Sequence, residues 1–223
     1  MEEEKKNIEA VEETAEKIEP AAVDKPAEKK EDREGIVEFT RPYTFEGQTY
    51  TEVDLSGVEN LTIGDAIEAQ SKLDQITQVT AATTTEFATI IAQKATGLPI
   101  EFFKFSPIPV ARKIRTTILG MLADKDGSDK HVIKFDKPYT FDGQTYTELD
   151  LNGLADLTCM NMSEAENRLV REGYGIIDPT KNYLYVCIMA SAATGKSEDF
   201  IKGLPIGELF KLVNEVGSDD FLE

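Results

Sequence analysis

From about residue 36 onward the apolar and polar positions fall into one series of elements, and that series occurs twice. Residues 39–57 read FTRPYTFEGQTYTEVDLSG, and residues 135–153 read FDKPYTFDGQTYTELDLNG, at an offset of 96. Leu61-Thr62 then matches Leu157-Thr158, Glu68-Ala69 matches Glu164-Ala165, and Leu73 matches Leu169. The match returns at an offset of 98, where Thr96-Gly97, Phe102, Lys104 and Pro107-Ile108 stand against Thr194-Gly195, Phe200, Lys202 and Pro205-Ile206. About half of the first 38 aligned positions are identical, which points to a tandem duplication.

Each copy predicts a β-hairpin followed by about four helices. Glu46-Gly47 and Asp142-Gly143 are two-residue turns in which Gly takes the positive φ of a type I′ turn. Counting back from the turns sets Tyr43 opposite Tyr50 and Arg41 opposite Glu52, with Tyr139–Tyr146 and Lys137–Glu148 as their counterparts. Pro42 and Pro138 place the first strand at an edge. Thr62 and Asp65 form a capping signal before Ala66, Ala69, Gln70 and Leu73. In the second copy Thr158 or Asn161 is the cap, with Met162, Ala165 and Leu169 inward. A second helix spans Thr85 to Thr96, with Phe87, Ile90 and Ile91 inward and Gly97 as its stop. Its counterpart, Tyr183 to Thr194 before Gly195, is apolar nearly all round and should be the most buried helix. Two more close each unit, Pro99–Lys104 and Val110–Leu122 in one, Ser197–Lys202 and Ile206–Val216 in the other. The fold class expected is α+β.

The first 35 residues break this pattern. They are almost all Glu, Lys, Ala, Pro and Asp, too poor in apolar surface to offset chain entropy, and read as a disordered acidic tail. Ile8, Val11, Ala15 and Ile18 lie at helical spacing, so the alternative to a solubilising tail is a transient, partner-docking helix over residues 2–19. The organisation expected is therefore a tail (1–35), a first unit (36–123), a polar linker (124–131) and a second unit (132–223). The linker favours relative motion of the units. Against that, Ile114, Ile118, Leu119 and Leu122 offer a face that can dock on the second unit.

Charge narrows the partners. In 223 residues, 42 acidic side chains against 24 basic ones give a net charge of -18. No nucleic-acid partner is expected, since phosphates need Lys and Arg, and no anionic membrane surface. No apolar run approaches the ~18 residues that cross a bilayer. The acidic opening MEEEKKNIEAVEE lacks the apolar stretch of a signal peptide, so the cytoplasm is the expected compartment. Cys159 and Cys187 lie in apolar stretches and read as reduced core residues.

A search for chemistry finds little. His131 is the one histidine and reads as a solvated linker residue, out of reach of a nucleophile pair. One histidine and two distant cysteines fail every zinc pattern. Asp124, Asp126, Gly127 and Asp129 resemble the start of a calcium loop, but Phe135 stands where the closing Glu belongs. Ala192-Ala-Thr-Gly-Lys-Ser197 ends like a phosphate-binding loop, yet Ala190 replaces its first Gly and the segment ends a helix instead of opening one. No catalytic residue, metal ligand or cofactor is expected, and the protein does not read as an enzyme. Binding surface remains. Phe102, Phe103 and Phe105 crowd one short helix, with Phe200 and Ile201 in the matching place. Packing beneath the hairpin is the simpler reading for them, with one left exposed, and a partner-binding groove is the sharper one.

The motif K/R-P-Y-x-F-x-G-x-x-Y-x-E-x-D-L-x-G, followed by L-T and a helix and then by T-G and a Pro-containing helical end, resembles the tail assembly chaperones of tailed bacteriophages. The resemblance spans both copies and leaves out the tail and linker. It implies a small, acidic factor in the host bacterial cytoplasm that binds the tape-measure protein, keeps it soluble and helps recruit tail-tube subunits, and that is absent from the finished virion. Two copies in one chain depart from the usual pattern. They suggest two linked modules on a repetitive helical client, the second contact seeing an effective concentration of about a millimolar. Self-association stays open. The alternative is a structural tail completion or baseplate-associated virion protein sharing the hairpin.

Overall fold

The computed structural model describes residues 35–73, 80–123 and 131–218. The acidic tail, with its residue 2–19 helix, and the calcium-like Asp124–Asp129 segment lie outside the described residues.

Two antiparallel hairpins lead the two units: β1 (Ile36–Phe45) with β2 (Gln48–Asp54), and β3 (Val132–Phe141) with β4 (Gln144–Asp150). The turns are as expected: Glu46 and Asp142 both have φ 48°, followed by Gly47 at 80° and Gly143 at 77°. Tyr43 faces Tyr50 and Tyr139 faces Tyr146. Arg41 does not face Glu52, nor Lys137 Glu148. Glu52 stands opposite Glu38, and Glu148 opposite Lys134, because the register shifts between Glu38 and Tyr43 and between Lys134 and Tyr139. Pro42 and Pro138 lie inside those shifts, where a residue without an N–H breaks the ladder. Lys137 is thereby released to reach Glu59 of the first unit, 2.7 Å away.

Helices follow in the same order. After a 3₁₀ turn come α1 (Ile63–Ser71), α2 (Thr85–Thr96), α3 (Ile100–Lys104) and α4 (Ile108–Leu122). The second unit has α5 (Cys159–Arg171), α6 (Tyr183–Thr194), α7 (Glu198–Gly203) and, after a 3₁₀ turn at Ile206–Glu208, α8 (Leu209–Val216). Local chemistry sets their ends. Thr62 and Asp65 close a reciprocal capping box on α1, and Thr158 with Asn161 does so on α5. Gly97 and Gly195, both left-handed, terminate α2 and α6. Ser197 accepts from Phe200 N as the N-cap of α7, so Gly195-Lys-Ser197 is a helix stop followed by a helix start. As expected, α6 is deeply buried, with Tyr183, Leu184, Tyr185, Val186 and Cys187 all inside.

The two units share one core. Val58, Ile63, Phe87, Ile118 and Leu122 from the first pack in the same cluster as Tyr183, Phe200, Ile206, Leu209 and Leu212 from the second. Glu34–Glu223 accordingly forms one compact body, and the docking of the α4 face replaces the expected swing about the linker.

Three further expectations are corrected. Met162 is exposed, because α5 turns only Ala165 and Leu169 inward. Cys159 is exposed at the first turn of α5, while Cys187 is buried as expected. His131 is not a solvated linker residue. It starts the second unit at φ 63°, where Gly35 stands in the first, and its Nδ1 lies 2.9 Å from Glu215 Oε2. That contact belongs to a seam between α8 and β3. Lys211 Nζ donates to Lys134 O at 3.1 Å and to Asp136 Oδ1 at 2.7 Å, and buried Glu208 accepts from Asp136 N at 3.0 Å. Lys113 Nζ donates to Glu38 O in the equivalent place.

Candidate functional site

Four of the five candidate partner-binding residues are core. Phe102 and Phe200 are 0% and 1% exposed, Phe103 and Ile201 4% and 0%. Each hairpin closes over its phenylalanine. Tyr43, Phe45 and Tyr50 surround Phe102 at ring distances of 5.1, 5.6 and 4.8 Å, and Tyr43 Oη donates to Phe102 O at 3.0 Å. Tyr139, Phe141 and Tyr146 surround Phe200 at 5.2, 5.3 and 4.8 Å, with Tyr139 Oη donating to Phe200 O. Such edge-to-face groups add about 0.5–1.5 kcal/mol per pair beyond area burial. They fasten the hairpin to α3 or α7 and leave no groove between. Lys196 covers the second cage from outside, 4.6 Å above the Tyr146 ring.

Phe105 is the exception, 72% exposed just past α3. Ile108, 68% exposed, opens α4 three residues later. Beside them lies an open groove of about 600 Å³ between α2, α3 and α4. Its lining includes Thr85, Thr89, Phe103 and Ala111, and Lys104, Arg112 and Arg115 outweigh its one carboxylate, Glu86. Arg115 Nη1 donates to Thr83 O at 3.4 Å. In a chain of charge -18 such a concentration of cations is local and directional.

A second apolar surface lies on the other unit. Met160 is 71% and Met162 45% exposed on the first turns of α5. Val170, Ile176 and Ile177 are exposed where α5 ends and the chain leaves it. Reading single helices missed Ile108, Arg112, Arg115 and Met160. The signal is the difference between repeats, since Thr85, Arg112 and Arg115 occupy the positions of Tyr183, Phe210 and Val213.

Reactive chemistry is sparse among the described residues. No group of three His, Cys, Asp or Glu side chains there could hold a metal ion. Burial pushes the Cys187 thiol up to about 12, so it stays protonated. A cavity of about 160 Å³ sits where the units meet, lined by Val58, Met121, Pro205 and Glu208 beneath the Glu59–Lys137 bridge. Burial raises the Glu208 carboxyl, opposed by the Asp136 N–H and by Lys211, whose Nζ is 3.1 Å from Oε2. No described helix is long and apolar enough to cross a membrane. Among known proteins, no family model, no curated sequence and no solved structure matches the chain.

Proposed function

We propose that this protein is a bacteriophage tail assembly chaperone. It binds the tape-measure protein in the host bacterial cytoplasm, keeps it soluble, helps recruit tail-tube subunits, and is absent from the mature virion. The observation that carries the reading is the twice-repeated hairpin signature with its following L-T and capped helix, which resembles that family. A holding factor for an apolar helical client needs apolar surface on a body charged strongly enough to keep the complex in solution. Val170, Ile176 and Ile177 supply exposed apolar surface, 60%, 37% and 64% exposed, in a chain of net charge -18.

Co-expression with the longest protein encoded nearby tests the reading. The long protein should stay soluble only with this chain and should co-purify with it, and Val170→Glu with Ile177→Glu should weaken the capture. A long protein indifferent to this chain, together with the chain's presence in purified particles, would replace the reading with that of a structural tail component.

A further inference from the structure

The second repeat buries a carboxylate that the first does without. Glu208, 2% exposed, holds the place of Val110, itself 5% exposed. Asp136 likewise stands where the first copy has Thr40. Around these positions the two copies are built alike. Lys113 Nζ donates to Glu38 O in one, and Lys211 Nζ donates to Lys134 O in the other. The seam between the first strand and the last helix therefore forms with an apolar residue at this place, and the fold does not call for an acid there. Burying a carboxylate is costly unless something compensates its charge.

Compensation within the protein is incomplete. Glu208 Oε1 accepts from Asp136 N at 3.0 Å, while Oε2 has no hydrogen bond and lies 3.1 Å from Lys211 Nζ. Lys211 is itself shared, since its Nζ donates to Asp136 Oδ1 at 2.7 Å. Two carboxylates thus divide one ammonium and leave one negative charge over. Burial raises the Glu208 carboxyl, as expected of an acid compensated only in part. Glu208 and Asp136 both line the cavity of about 160 Å³ where the units meet. Its apolar lining comes from Val58 and Met121 of the first unit and from Pro205 and Ile206 of the second. Glu59 and Lys137 line it too, and their side chains, 51% and 74% exposed, set their salt bridge at its rim. Exposed pairs of that kind open at little cost. A cavity of this size accepts a benzene-sized molecule.

We propose that this cavity binds a small primary amine with an apolar body, its ammonium donating to the Glu208 and Asp136 carboxylates. The charge left over selects a cation, and hydrogen bonds between ionised groups are the strong ones. The lining selects the rest of the molecule, because a hydrated metal ion gains nothing from Val58, Met121 and Ile206. Nor do three His, Cys, Asp or Glu side chains gather to hold a metal among the described residues. Both units contribute to the lining, so an occupied cavity ties them together and stabilises the folded chain by mass action. None of the exposed apolar residues Val170, Ile176 and Ile177 takes part, so the site does not rest on the identity of a client.

Nuclear magnetic resonance titration of the full chain at pH 7 tests the proposal, with benzylamine as the probe and benzyl alcohol as its uncharged counterpart. Benzylamine should shift the amides of Val58 and Ile206, one from each unit, along a single saturating curve. Benzyl alcohol should bind about tenfold more weakly, having lost a hydrogen bond between charged groups. Glu208→Gln keeps the shape and removes the charge, and it should erase that preference. Glu208→Val installs the residue of the first copy; the chain should stay folded by circular dichroism and no longer bind. Asp136→Asn changes a side chain that is 59% exposed, where folding is not at risk, and should weaken benzylamine severalfold. Benzylamine that moves neither amide to saturation overturns the proposal. So does benzyl alcohol binding as tightly, or Glu208→Gln binding benzylamine as well as the wild type does.

Discussion

Gly57 and Gly153 occupy the same place in the two repeats, and in each a Cβ would come within 2.1 Å of a helix carbonyl, Ala95 O or Ala193 O. Contact at that range is backbone on backbone, so no side chain can swing aside. The 3₁₀ turn after the hairpin would have to lift from α2 or α6. Gly57→Ala or Gly153→Ala should therefore lower stability by about 1–3 kcal/mol, the usual cost of overpacking. Gly120 is the control. It is exposed within α4 with nothing within 4 Å of its added Cβ, so Gly120→Ala should raise stability by up to about 1 kcal/mol. Urea midpoints for the three variants settle the signs, and a neutral Gly57→Ala would mean that the turn is not held against α2. Tyr183 makes a different demand. Its buried Oη accepts from Ala82 N at 3.1 Å, and burial keeps the phenol protonated far above its ordinary range. Tyr183→Phe orphans that N–H and should cost about 1–3 kcal/mol. The loss should be equal at pH 6 and pH 9, which unfolding at the two values checks.

Among the elements, those whose ends rest on local chemistry were legible in the sequence. Thr62 with Asp65 as a cap, and Gly97 and Gly195 as stops, all act within one turn of chain. Hairpin turns were legible for the same reason. The register beyond them was not, because a ladder interrupted near Pro42 resumes wherever the strands next meet. Phe102 and Phe200 could be read as buried or exposed until the hairpin was seen to close over them. The groove beside Ile108 stayed hidden because its counterpart is covered by a helix more than a hundred residues away. Where elements meet, Lys94 ties α2 to α1, reaching Asp65 at 2.9 Å and Glu68 at 2.7 Å. Burial works to raise the Asp65 carboxyl, but the Thr62 N–H and Lys94 outweigh it and hold it below 3.8. Lys72 and then Lys94 hold Glu68 below 4.5. Carboxyls depressed in the folded state stabilise it above those ordinary values, and the gain is lost as pH falls through the depressed ones. Lys94→Met should thus be less stable than wild type at pH 7, with the difference shrinking as pH falls below about 4. Thermal unfolding at a series of pH values reads this, and a gap independent of pH would assign Lys94 a packing role instead.

At the scale of the molecule, the question is whether two similar units behave as two domains. A polar linker between them argues that they should. The core argues otherwise, since α6 carries Tyr183 into the first unit, where its ring lies 5.9 Å from Phe87, and Leu122 of α4 is fully buried in the shared cluster. Lifting the first unit away would put Tyr183 and Ile206 in water and orphan the Leu61–Ile206 and Ile63–Leu204 backbone pairs together. Neither unit keeps a complete core without the other, so unfolding should be a single step. The chain holds seven tyrosines and no tryptophan, so tyrosine fluorescence and far-ultraviolet circular dichroism follow the transition by independent routes. Their midpoints should coincide. Phe87→Ala in the first unit should cost about 3–5 kcal/mol and Leu209→Ala in the second about 2–5 kcal/mol. Each should shift the whole transition, with no part left at the wild-type midpoint. Two steps, with Phe87→Ala moving only one of them, would restore the units as separate domains.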